Sequence, residues 1–165
     1  LYIRMIQLTY KDATYSFNVT TEDVRIDTSV PSSQIRHLFK FTNDMSGRAK
    51  YAYARTEIIN DRYTSIVLTH STSQSVVSGR INFVPNGFWK YEVYEVSFNG
   101  TPVISLTTVP LTETGTATDQ SQVYGTVKGC VEVGKLFVAE ESGEEQVQYT
   151  QREEPSSSNY IYYGQ

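Results

Sequence analysis

The chain has 165 residues, a formal net charge of −4 and an isoelectric point near 5.2. That length fits one domain with a substantial core, and acidity with only thin Lys and Arg clustering excludes a phosphate-binding surface or docking on anionic membranes. One cysteine, Cys130, excludes an internal disulfide framework, and no apolar run approaches the roughly 18 residues of a membrane-spanning helix.

Residues 1–9 and 14–20 read as a first hairpin joined by Tyr10-Lys11-Asp12-Ala13, with Met5, Ile6 and Leu8 as its apolar members. The opening residues read directly as strand, without the charged and apolar regions of a signal peptide. Residues 21–33 are irregular. Residues 37–42 form the next strand through Leu38, Phe39 and Phe41, and residues 43–47 form a turn. Residues 50–55 alternate tyrosine with alanine and pair with that strand. A second turn at Asn60-Asp61-Arg62-Tyr63 precedes a β-branched strand at 65–69, and residues 70–75 are polar and exposed.

Residues 88–98 carry the strongest local signal. Aromatic and β-branched residues alternate with charged ones at period two, as in a half-buried strand. Asn86-Gly87 and Asn99-Gly100 bound it, and Asn-Gly adopts the positive φ angles of tight hairpin turns. Residues 101–106 are expected to return as its hairpin partner. Residues 107–122 are rich in Thr, Ser, Asp and Gly, and read as a mobile loop. Residues 123–133 and 135–140 read as strands broken at Gly134. Residues 145–150 pair back after a turn, and residues 153–165 form a Ser-rich tail ending in tyrosines. No segment has a helical period. Short strands with turns every eight to twelve residues predict an all-β fold, an antiparallel β-sandwich of Ig-like or jelly-roll-like kind. It has a long loop, an extended tail, one domain over residues 1–152 and the tail over 153–165.

The residues supply no reactive constellation. His37 and His70 lack metal-ligand spacing and read as a strand-edge residue and a solvated loop residue. No serine sits in a Gly-x-Ser-x-Gly elbow. Glu92 and Glu95 fall on opposite faces of a regular strand, and the glutamates at 140, 141, 144 and 145 surround a turn, so neither group predicts paired catalytic carboxylates. Cys130, in an apolar-rich run, reads as a buried inert thiol. Asn18-Val19-Thr20 matches the N-glycosylation pattern, which matters only in a secretory setting. Catalytic, cofactor and metal sites are therefore all expected to be absent.

The aromatic residues are more informative. Trp89, Tyr91 and Val93 share one strand face and read as core rather than as a sugar-stacking platform with Tyr94, Tyr51 and Tyr53. Tyr94, Val96 and Phe98 put apolar groups on the opposite face. Either a bulge shifts the register near Glu95, or both faces are covered, the second implying burial against another subunit. Tyr94 and Phe98 are thus interface candidates, as are Tyr160, Ile161, Tyr162 and Tyr163 in the tail, which close the domain or add to a neighbour's sheet edge.

Four motifs occur in order: Phe39-Lys40-Phe41-Thr42-Asn43, Asn60-Asp61-Arg62-Tyr63, the run from Gly87 to Glu95, and Val131-Glu132-Val133-Gly134-Lys135-Leu136 with Val138. Together, over roughly residues 36–150, they resemble small β-rich virion structural proteins of tailed bacteriophages of aquatic bacteria. The resemblance implies a non-enzymatic structural protein of the phage particle, located in the virion. It implies no cofactor and no catalytic residues. A capsid-decorating accessory subunit is the leading expectation, as a homo-oligomer contacting other virion proteins such as major capsid or tail proteins. The alternatives are a tail or connector subunit and a receptor- or glycan-binding module of a fibre.

Overall fold

The strand β8 (Gly87–Phe98) organises the molecule, and a computed structural model describes residues 5–141 around it. The strands before it are β1 (Met5–Thr9), β2 (Thr14–Val19), β3 (Ile35–Asn43), β4 (Ala49–Tyr53), β5 (Thr56–Ile59), β6 (Thr64–His70) and β7 (Arg80–Ile81); β9 (Gly125–Ala139) follows it. A five-stranded sheet runs in the order β1-β9-β8-β3-β4. A second sheet runs β2-β6-β5, with β7 also pairing β6.

The all-β prediction holds, but both sheets are mixed. β1 pairs β9 in parallel, from Met5↔Lys135 to Thr9↔Ala139, and β7 pairs β6 in parallel. The expected first hairpin is overturned by the same pairing. β2 lies in the other sheet, antiparallel to β6, so residues 10–13 cross between sheets. Lys11 turns that corner at a positive φ of 64°. The period of β1 and β2 shows which residues face inward, whereas partner choice depends on distant chain segments, from Val19↔Thr64 in one sheet to Met5↔Lys135 in the other.

The sheets share one apolar core. Phe39, Phe41, Trp89, Tyr91, Val93 and Leu136 from the large sheet meet Tyr15, Phe17, Val19, Ile66 and Leu68 from the small one. Most of the core's aromatic contacts are edge to face, as in Phe17–Phe39 at 5.8 Å and Phe83–Trp89 at 5.4 Å, while Phe39 and Phe41 stack at 6.2 Å; edge-to-face and offset-stacked pairs are the arrangements favoured by the ring quadrupole. Trp89 is fully buried and its indole N–H donates to the Pro85 carbonyl at 3.2 Å. That burial fits the core reading and removes Trp89 as an exposed sugar platform.

β8 keeps strict alternation against β3, from Ile35↔Ser97 to Asn43↔Trp89 with no slip. The register shifts lie on the β9 side, between Val93/Tyr94 and Glu95/Val96. Trp89, Tyr91, Val93 and Glu95 therefore point inward, and Tyr94, Val96 and Phe98 outward.

The outward group is covered by the same chain. Residues 99–124 contain no strand; they cross the outer face, and Val109 packs with Leu38, Tyr53, Val96 and Phe98 in a second cluster. The expected return strand at 101–106 is thus replaced by β9 as the partner of β8. The expectation of a mobile, unpacked loop at 107–122 is corrected too: Thr108, Val109 and Ala117 are buried. A low apolar content hid this, because a covering segment needs only a few apolar anchors when hydrogen bonds satisfy the rest of its backbone.

Gly134 does not break a strand. β9 runs continuously through it for 15 residues. The last turn, the pairing expected for residues 145–150 and the 153–165 tail lie outside the described residues.

Candidate functional site

The covering segment protects only half of the outer face. On the other half, Phe88 stands beside its register partner Phe137 with ring centroids 4.9 Å apart. Val133 and Lys135 continue the row along β9, and Met5 pairs across to Lys135 from β1. Phe88 is 49% exposed, Val133 52% and Met5 52%. Alternation forces this arrangement: Leu136, Val138, Ile6 and Leu8 point into the core, so their neighbours must point out. Lys135 is tied to Asp44 at 2.6 Å and Lys90 to Glu92 at 3.3 Å, giving the apolar strip a charged border. β1 ends the sheet, with no further strand beside it among the described residues. An apolar strip next to an open strand edge is a surface suited to another polypeptide.

The boundary of the covered half is electrostatic. Glu113, from the covering segment, accepts a hydrogen bond from Lys40 Nζ and another from the Tyr51 hydroxyl, each at 2.5 Å. These donors pull its carboxyl from 4.5 down to about 2. The same contact raises the Lys40 ammonium above its ordinary value. Beside them, burial, followed by the charge of Glu92, pushes the Tyr94 phenol up to about 12. The Tyr53 hydroxyl donates to the Pro110 carbonyl at 2.6 Å from a fully buried position.

Of the interface candidates, Phe98 is buried under its own chain's segment, so it presents no free surface. Tyr94 is half-buried in the same cluster. The residues Tyr160, Ile161, Tyr162 and Tyr163 lie outside the described residues. The exposed apolar members are instead Met5, Phe88 and Val133. Phe88 was not among the expected candidates, although the alternation that turns Trp89 inward turns Phe88 outward. The row became a surface only when β1 and β9 were set beside β8.

Both histidines differ from expectation. His37 is buried, and its Nδ1 meets the Glu57 Oε1 in a very short contact while its backbone N–H donates to Oε2 at 3.3 Å. Glu95, its register partner, is also fully buried, and its carboxylate accepts the N–H groups of Ile26 at 2.6 Å and Asp27 at 3.3 Å. Asp27 accepts from Ser97 and Ser29 in turn, which with Lys128 holds its carboxyl well below the usual range. This network fastens residues 22–30 to the end of the large sheet. His70 is not a solvated loop residue; it ends β6, with Nδ1 3.1 Å from the Tyr15 hydroxyl. Glu92 and Glu95 do lie on opposite faces. Cys130 is exposed rather than buried, and its Sγ donates to the Glu132 carbonyl at 3.4 Å. Partial desolvation of the sulfur and the charge of Glu92 push that thiol up. Among the described residues no cluster of His, Cys, Asp and Glu could hold a metal ion.

No family model matches this chain, and no curated protein or solved structure matches it.

Proposed function

We propose that the chain is a non-enzymatic structural subunit of a bacteriophage particle. It acts as an accessory, capsid-decorating protein present in many copies and held by contacts with other virion proteins. The finer architecture in this reading is a β-sandwich of the Ig-like or jelly-roll-like class, with mixed rather than purely antiparallel sheets. The observation that carries the proposal is the half-open outer face. The chain spends a 26-residue segment (residues 99–124) covering one half, and among the described residues it leaves Phe88, Val133 and Met5 exposed on the other, with Phe137 half-buried beside Phe88. Burying such a strip against a neighbour contributes roughly 25 cal/mol per Å² of apolar area, and repetition over a symmetric lattice multiplies weak contacts into firm attachment. The four motifs that resemble phage virion proteins support the same reading: two of them, in β8 and β9, flank this strip.

The test is to purify tailed phage particles encoding the chain and locate it by imaging with a specific antibody fragment. Regularly spaced labelling of the head is expected. Labelling confined to the tail or connector moves the subunit to that position, and absence from intact particles overturns the proposal. A Phe88→Ser, Phe137→Ser variant should fold normally and join particles about tenfold less, a loss of ~1.4 kcal/mol per copy.

A further inference from the structure

Arg36, next to the start of β3, and Arg55, between β4 and β5, line a single cleft of about 390 Å³. Tyr53, Thr56, Glu57 and Ile104 line it with them. Each guanidinium has five N–H donors in a planar fork, and few are used here. Arg36 Nη1 donates to the carbonyls of Ile35 at 2.7 Å and Ser33 at 3.5 Å. Arg55 Nη1 reaches the Thr69 hydroxyl only at 3.5 Å. Among the described residues, neither guanidinium forms an ion pair. Glu57 is the one carboxylate lining the cleft, and both its oxygens already accept from His37. Among the described residues the cleft therefore holds two arginine side chains against a single carboxylate, and that carboxylate is already engaged by His37.

The wall that carries Arg55 is rigid. Its backbone N–H donates to the Val67 carbonyl at 2.9 Å, and Gly79 packs so tightly on it that a Cβ there would stand 2.5 Å from the Arg55 nitrogen. Pro102 and Ile104 supply the apolar part of a mostly polar lining. A cleft of this size falls within the range of small-ligand sites, about 300–1,000 Å³. An arginine fork matches the planar two-oxygen geometry of a carboxylate, and the apolar part of the lining suits the carbon chain behind it.

We propose that this cleft binds a carboxylate, held by Arg36 and Arg55, with the ligand's methylene groups against Pro102 and Ile104. A free dicarboxylic acid and an acidic side chain of a protein segment share this chemistry. The site does not depend on the chain's role in a particle.

The test is an NMR titration of the arginine Nε–Hε signals of the full chain with glutarate, a glutamate-containing pentapeptide and inorganic phosphate, in separate arms. The Arg36 and Arg55 signals should shift saturably with glutarate or the peptide, and the tighter arm identifies the source. Arg55→Gln, an exposed change, should weaken that binding about tenfold; Arg36→Lys should weaken it while preserving charge; Arg80→Gln, outside the cleft, should leave it unchanged. Unmoved signals up to about 10 mM carboxylate, equal binding by Arg55→Gln, or tighter binding of phosphate than of either carboxylate would each overturn the proposal.

Discussion

Tyr91 lies across Gly134, its register partner on the adjoining strand. A Cβ added to Gly134 would stand 2.5 Å from the phenol oxygen and 2.6 Å from two ring carbons. The glycine is therefore a seat for the ring, and the empty position on β9 is filled by its neighbour. Gly134→Ala should destabilise the fold by about 2 kcal/mol, since the buried ring must leave its place or strain the sheet. Urea denaturation would measure this. A variant as stable as the parent would show that β8 and β9 can part without cost. In Gly134→Ala, Tyr91→Leu, which removes the ring, the alanine should cost much less than it does alone.

Glu113 latches the covering segment onto Lys40 and Tyr51. Glu113→Gln should cost about 1 kcal/mol, because charge-assisted bonds are strong but these groups keep partial contact with water. The pH dependence follows from the depressed carboxyl. Its contribution is present above the unfolded value near 4.5 and fades as pH falls toward about 2. Lys40, raised by the same contact, adds the mirror effect, with stabilisation present below its ordinary 10.5 and lost at higher pH. Between pH 4.5 and 2, stability should fall less steeply in Glu113→Gln than in the parent. Hydrogen exchange should show faster opening of residues 99–124 in the variant at neutral pH; equal protection would mean the apolar anchors hold the segment alone.

His37 and Glu57 form a buried polar pair whose members depend on each other. Glu57→Ala should cost about 3 kcal/mol, since it leaves the His37 ring and backbone N–H without acceptors in a dry site. His37→Leu, Glu57→Leu together should cost less than Glu57→Ala alone, because an apolar pair demands no hydrogen bonds. Chemical denaturation of the three proteins checks this. A double variant worse than the single would assign the pair a net stabilising role.

Much of this molecule can be read along the chain. Period-two alternation placed β8 and its inward set Trp89, Tyr91 and Val93, because side-chain direction in a strand is a local property; the apolar run Leu38, Phe39 and Phe41 marked β3 without separating its faces. The turns at 43–47 and 60–63 are local in the same sense. β5 went unseen, since four residues with two charged or polar members carry too short a period to stand out.

Partnership is not local. The parallel placing of β1 beside β9, the passage of residues 99–124 over Tyr94, Val96 and Phe98, and the union of Arg36 with Arg55 in one cleft each join segments far apart in the chain. A strand's pattern names the face it buries but not the strand that lies against it. Pairing is selected by which combination of edges and faces buries the most apolar surface with every backbone group satisfied. Among the described residues, the exposed strip around Phe88 and the arginine-lined cleft are what that global choice leaves at the surface.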